Sequence, residues 1–103
     1  MEGKARGRIG GYIVRKYYEL IWPLLDEYGI TGCRRMDYLH FALHVRRVIL
    51  RYAKGELEGP LEILVNGLIA YYTTAYELKE DLCRDIADRV LEYIKGGGGT
   101  IGS

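Results

Sequence analysis

The sequence predicts an all-α fold, a small bundle of three or four helices with a basic, Gly-rich N-terminal arm and a Gly-rich C-terminal tail. Three observations carry that expectation. Apolar residues recur at steps of three and four through most of the chain, the period of a helix with one buried face. Only 2 prolines occur, and with that helical period they argue against a sandwich or barrel. The 103 residues, 49% hydrophobic and 28% charged, suffice for one core and exclude a two-domain enzyme. A formal net charge of +1 is too balanced, on so apolar a chain, for disorder.

The residues from Met1 to Gly11 read as a flexible arm, because 4 glycines and 3 cations leave little to bury. A single helical domain is expected over residues 12–95, with the tail at 96–103. The first helix starts at Ile9 or Tyr12 and reaches Tyr28. Val14, Tyr17, Tyr18, Ile21, Leu24, Leu25 and Tyr28 lie along one face. Pro23 removes a backbone donor inside it, so a kink or a restart is expected near Trp22.

The second helix is expected from Cys33 or Arg34 to Lys54, with Thr31 as a candidate cap and Gly55 as the stop. Its apolar stripe is Tyr38, Phe41, Ala42, Val45, Val48, Ile49 and Tyr52. Pro60 suits the first position of a third helix. That helix, Leu61 to Tyr76, is apolar nearly all round, which predicts a central buried helix or one covered by another subunit. Thr74-Ala-Tyr-Glu77 has the form of a capping box, so a fourth helix is expected to start there and run to Lys95. The alternative is one unbroken helix of about 54 Å from Pro60 to Lys95. Leu78, Leu82, Ile86, Val90 and Ile94 mark the fourth helix's buried face, with Cys83, Ala87 and Leu91 beside them. Glu80/Arg84 and Asp85/Arg89 are spaced to pair on its polar side.

The charge layout is the most informative feature. Up to Lys54 the chain holds eleven Lys and Arg against five Asp and Glu, a net of +6; beyond it, four against nine, a net of −5. Such a split points to nucleic acid or membrane contact, or to head-to-tail self-association. On the second helix His40, His44, Arg47, Arg51 and Lys54 fall within about 80° of arc, one basic stripe. Arg34 and Arg35 stand at its start, where cations oppose the macrodipole and an anion is welcome. Lys4, Arg6 and Arg8 on the arm add a mobile electrostatic clamp that can follow a groove or backbone, and Arg15 and Lys16 complete the expected nucleic-acid contacts. The ordinary reading of these charges is a solvated face. In it Arg34 or Arg35 pairs with Asp37, Asp26 or Glu27, and the stripe pairs with the acidic fourth helix of the same or a neighbouring chain.

The other constellations are weaker. His40 and His44 share a helix face, but no third ligand accompanies them, and neither a metal nor another cofactor is expected. Cys33 and Cys83 stand in no metal pattern and read as two small buried hydrophobes, with a disulfide as the alternative. Tyr17, Tyr28, Tyr38, Tyr52 and Tyr76 fall on apolar stripes and read as core or interface residues. Tyr12 and Tyr18, beside Arg15 and Lys16, are the better candidates for contact with a nucleic acid. Arg35-Met-Asp-Tyr-Leu-His40 resembles the R-x4-6-H pattern of the HEPN ribonucleases, also small helical bundles. That resemblance implies Arg35 and His40 acting together on an RNA phosphate.

The leading expectation is a non-enzymatic, self-assembling protein that coats or condenses nucleic acid, with double-stranded DNA the expected polymer, through backbone contacts. Leu61, Leu64, Val65, Leu68, Ile69, Tyr72 and Tyr76, with the tail, are the expected subunit contacts. In layout alone, with no shared motif, this resembles the small helical coat proteins with which filamentous viruses of archaea wrap DNA. The alternatives are a homo-oligomeric helical module without nucleic acid and the HEPN-like ribonuclease. No signal peptide and no membrane span is read from the sequence, which places the chain inside a cell or in a virion. Arg-rich, Tyr-rich composition also suits a hot environment.

Overall fold

The computed structural model describes the backbone of residues 2–97 and the side chains of residues 11–97. Four helices follow one another: α1 (Glu2–Glu27), α2 (Arg34–Ala53), α3 (Leu61–Ala75) and α4 (Glu80–Lys95). No strand occurs among the described residues. α2 and α4 pack directly on each other, and α1 and α3 each lie against both of them, while α1 and α3 barely touch. The cross-section is a rhombus whose short diagonal is the α2–α4 pair.

Each helix contributes the face that its period marks. Tyr17, Ile21 and Leu25 of α1, Tyr38, Phe41, Ala42 and Val45 of α2, and Leu82, Cys83, Ile86 and Val90 of α4 are closed to solvent. No charged or polar residue is buried among the described residues. Each large aliphatic side chain or Phe removed from water in this way stabilises the fold by roughly 1.5–3 kcal/mol before ordering costs. Val14, Val48 and Tyr52, which the periodicity put on buried faces, are partly or largely exposed.

Two helix ends are closed by the same device. Gly29 and Gly55 take left-handed backbone (φ 71° and 79°). At the first, the Gly29 amide donates to the Asp26 carbonyl (3.0 Å) and the Ile30 amide to Leu25 (2.9 Å). At the second, Gly55 donates to Tyr52 (3.0 Å) and Glu56 to Arg51 (3.0 Å). These paired bonds satisfy carbonyls that a helix end leaves orphaned, and a side chain at either glycine would clash with its own backbone.

Several expectations need correction. α1 is assigned from Glu2, ahead of the expected start, and passes Pro23 without a restart. Arg89 donates to the Leu20 carbonyl (3.3 Å) within the turn that Pro23 disturbs. Cys33, not Thr31, occupies the α2 N-cap, with no side-chain cap bond. Pro60 is the α3 N-cap, one residue before the helix proper. α3 is not a central buried helix: only Ile69 and Tyr72 are buried, while Ile63 is 64% exposed and Tyr71 54%. The capping box does not form, because α3 continues through Thr74 to Ala75 and α4 begins at Glu80. Glu77 instead takes left-handed backbone (φ 57°) in the joint, which excludes the single long helix.

Glu80 and Arg84 pair at 3.0 Å as expected. Asp85 and Arg89 do not pair with each other: Asp85 accepts the Tyr28 hydroxyl (2.9 Å), and Arg89 turns to α1. Cys83 is buried, but Cys33 is exposed, and both are free thiols. Burial pushes the Cys83 thiol up to about 12, with the Glu80 charge adding to the rise. The arm's side chains through residue 10, and residues 98–103 of the tail, lie outside the described residues.

Candidate nucleic-acid interface

The buried face of α2 centres on Tyr38, Ala42, Val45 and Ile49. At about 100° per residue, His40, His44, Arg47, Arg51 and Lys54 lie on the opposite side of the same helix. The core packing of α2 therefore turns its basic stripe outward. His40, Arg47, Arg51 and Lys54 are exposed, and His44 is half-buried.

The stripe borders a shallow cleft of about 270 Å³ between α2 and α3, lined by Asp37, His40, Leu43, His44, Arg47, Tyr72 and Tyr76. His44 Nδ1 lies 3.2 Å from the Tyr72 hydroxyl. Burial, reinforced by the Arg47 charge, holds the His44 imidazole below the ordinary histidine range. That favours the neutral form of His44, while Arg47, Arg51 and Lys54 carry positive charge along the stripe. Arg51 also pairs with Glu56 at 3.2 Å, an exposed contact that water and salt weaken.

Arg15 and Lys16 are exposed on α1. Lys16 Nζ stands 5.9 Å from the Tyr12 ring centre. Arg15 lines an open hollow of about 320 Å³ between α1 and the start of α2, with Val14, Tyr18, Arg35, Met36 and Leu39. Both arginines at the start of α2 are committed within the chain, as the solvated-face reading expected. Arg34 pairs with Asp37 (3.1 Å) and donates to the Glu77 carbonyl (2.8 Å). Arg35 donates to the Ile30 carbonyl (2.8 Å) and the Tyr18 hydroxyl (3.0 Å) and pairs with Asp26. Lys4, Arg6 and Arg8 lie outside the residues whose side chains are described.

Arg35 and His40 are not brought together. Five residues apart on a helix is about 140° of rotation, and Arg35 is engaged by α1 and the α1–α2 loop while His40 lines the α2–α3 cleft. The paired action on a phosphate that the HEPN resemblance implies has no geometric basis here. Among the described residues no group of three or more His, Cys, Asp or Glu side chains gathers as metal ligands. None of the described helices is long and apolar enough to cross a membrane.

Of the expected subunit-contact residues, Ile69 and Tyr72 lie in the chain's own core, and Leu61, Val65 and Leu68 pack against it. The outward side of α3 carries Ile63 and Tyr71, neither singled out from the sequence, while Tyr76 is exposed beside Tyr72 at the α2–α3 cleft, their ring centres 5.0 Å apart. Arg46 was missed as well: its guanidinium lies over the Tyr17 ring at 5.8 Å, on the α1 side of α2. Its place one residue off the basic stripe was the available signal. Tyr18 is held by Arg35 and lies beside Trp22 (ring centres 5.7 Å apart), so Tyr12 remains the more accessible of the two candidate aromatic contacts.

Known proteins resemble this chain at the level of sequence. The family model described as Sulfolobus virus coat protein C terminal matches residues 14–101. The major capsid protein of Sulfolobus islandicus rod-shaped virus 2 is 33% identical over 78 residues, covering 76% of this chain and 53% of that protein. The major capsid protein of Saccharolobus solfataricus rod-shaped virus 1 is 32% identical over 73 residues, covering 71% of this chain and 52% of that protein. The chain thus spans about half the length of the curated relatives it matches. No solved structure matches it.

Proposed function

The chain belongs to the Sulfolobus virus coat protein C-terminal family, and on that premise we propose that it is a structural, self-assembling coat protein of a virion, without catalytic activity, whose basic face covers nucleic acid. The observation that carries the nucleic-acid part is the outward stripe of His40, Arg47, Arg51 and Lys54 on α2; Arg15 and Lys16 are also exposed, on α1, and are proposed to join it. Cations fixed on a helix at regular spacing neutralise a row of phosphates without reading bases, which suits a coat that must cover any sequence. Double-stranded DNA is the proposed polymer. Lys4, Arg6 and Arg8 are proposed to add charge to the contact with nucleic acid, and His44 a polar group. Arg35, tied to Asp26 and the Tyr18 hydroxyl, holds the start of α2 against α1, Arg34 ties it to the Glu77 carbonyl, and both meet phosphate only at the edge of the face.

Subunits would meet through α3. Ile63 and Tyr71 are exposed on its outer side with half-buried Leu64 beside them, Tyr76 is exposed at the α2–α3 cleft, and Leu61, Val65 and Leu68 pack on the core that Ile69 and Tyr72 enter. The test is binding to random-sequence duplex DNA across a salt series. The expected result is little sequence preference and log affinity falling linearly with log salt, at about −0.9 per phosphate neutralised. Arg47→Glu together with Arg51→Glu should weaken binding at least tenfold. Binding that is absent or insensitive to salt overturns the nucleic-acid part of the proposal and leaves a protein-only scaffold.

A further inference from the structure

α4 carries a charge pattern that the nucleic-acid reading does not use. Asp81, Asp85, Asp88 and Glu92 are spaced four, three and four residues apart, the same spacing as His40, His44, Arg47 and Arg51 on α2. All four carboxylates are exposed. Among the described residues none of them enters an ion pair, and Asp85 accepts only the Tyr28 hydroxyl. They lie on the side of α4 opposite Leu82, Cys83, Ile86 and Val90, the side chains that it buries.

Because α2 and α4 pack through their buried faces, the basic and acidic stripes look out from opposite sides of the molecule. One chain cannot bring them together; two chains can. We propose that, without nucleic acid present, the acidic α4 face of one copy docks on the basic α2 face of a second copy. The contact uses different patches on its two sides, so it repeats head to tail and builds open chains.

The register is definite. A spacing of four, three and four reads the same in reverse, so the stripes match when the helices run antiparallel, with Arg47 opposite Asp85 and Arg51 opposite Asp81. That direction opposes the two helix dipoles and brings Lys95 level with Asp37. The parallel direction aligns the dipoles and sets Lys95 level with Lys54, two like charges. Nucleic acid competes for the α2 face, so binding a polyanion disperses the chains of protein. This inference stands apart from the proposed function, since the contact needs no nucleic acid.

The experiment is sedimentation velocity on the full chain, freed of nucleic acid, over a range of protein concentration. At low salt the average mass should rise with concentration. At molar salt, where the Debye length is about 3 Å, it should fall back. Asp85→Arg and Arg47→Asp should each weaken association at least tenfold. An equimolar mixture of the two variants should restore it, because each supplies the face that complements the other's reversed one. Excess heparin should disperse the wild-type chains. A wild-type mass that does not respond to salt, or a mixture that fails to reassociate, overturns the proposal. Asp85→Arg should bind duplex DNA at least as tightly as wild type, which separates failure of this contact from failure of nucleic-acid binding.

Discussion

α3 and α4 are neighbours in sequence and in space, and they use their apolar residues in opposite ways. α4 is the more charged, yet it buries Leu82, Cys83, Ile86, Ala87, Val90 and Ile94. α3 holds one acidic residue and no basic one, yet buries only Ile69 and Tyr72. Burial follows the phase of the apolar residues around a helix and not their number. On α4 they fall in one stripe that a single neighbouring groove can take. On α3 they surround the helix, and its own chain can cover only one side.

The strongest way to break this comparison is to cut into each helix at its most apolar point. Ile86→Ala on α4 should cost about 2–5 kcal/mol of unfolding free energy in a denaturant titration, because it leaves a cavity in a close-packed core. A cost below about 1 kcal/mol would mean that α4 does not anchor the core. At the joint between the two helices, Glu77→Gly should raise stability by about 0.5–1 kcal/mol, as relief of the left-handed strain outweighs the added freedom of the unfolded chain. A loss of stability would mean that the Glu77 side chain holds the joint. Ile63→Ser on α3 should change unfolding by no more than about 0.5 kcal/mol. It should still reduce subunit association, and an unchanged assembly would remove Ile63 from the proposed contact surface.

The same contrast explains what was legible in the sequence. The buried face of α4 is readable residue by residue from Leu78 to Ile94, since one phase satisfies every apolar position. The all-α fold, the bounds of α2 and the helix stops at Gly29 and Gly55 are readable for the same reason: period and a glycine stop coincide. The α3–α4 joint is not, because Thr74-Ala-Tyr-Glu77 satisfies a local capping rule that tertiary packing overrides. Tyr72 is drawn under α2, its ring centre 5.2 Å from that of Phe41. Tyr38 accepts the Lys79 amide at 2.8 Å, fixing where α4 can begin. These are contacts between residues far apart in the chain, and no window of sequence contains them.

The candidate site divides similarly. The α2 stripe is legible because it depends only on helical period. The fates of Arg34 and Arg35 are not, because Arg35 depends on how α1 and the α1–α2 loop come to rest against α2, and Arg34 on where the α3–α4 joint lies. Asp26 and Asp37 were among the partners weighed. The Ile30 and Glu77 carbonyls were not, since a backbone acceptor leaves no mark in the residue types.

The rhombic arrangement also fixes how the molecule carries force. α2 and α4 form a central strut, and α1 and α3 are flanges on either side that barely meet. A push delivered to α1 has almost no direct route to α3 and must cross the strut. Compression across the subunit therefore falls on the apolar side chains that α2 and α4 bury, Val45, Ile86 and Val90 among them.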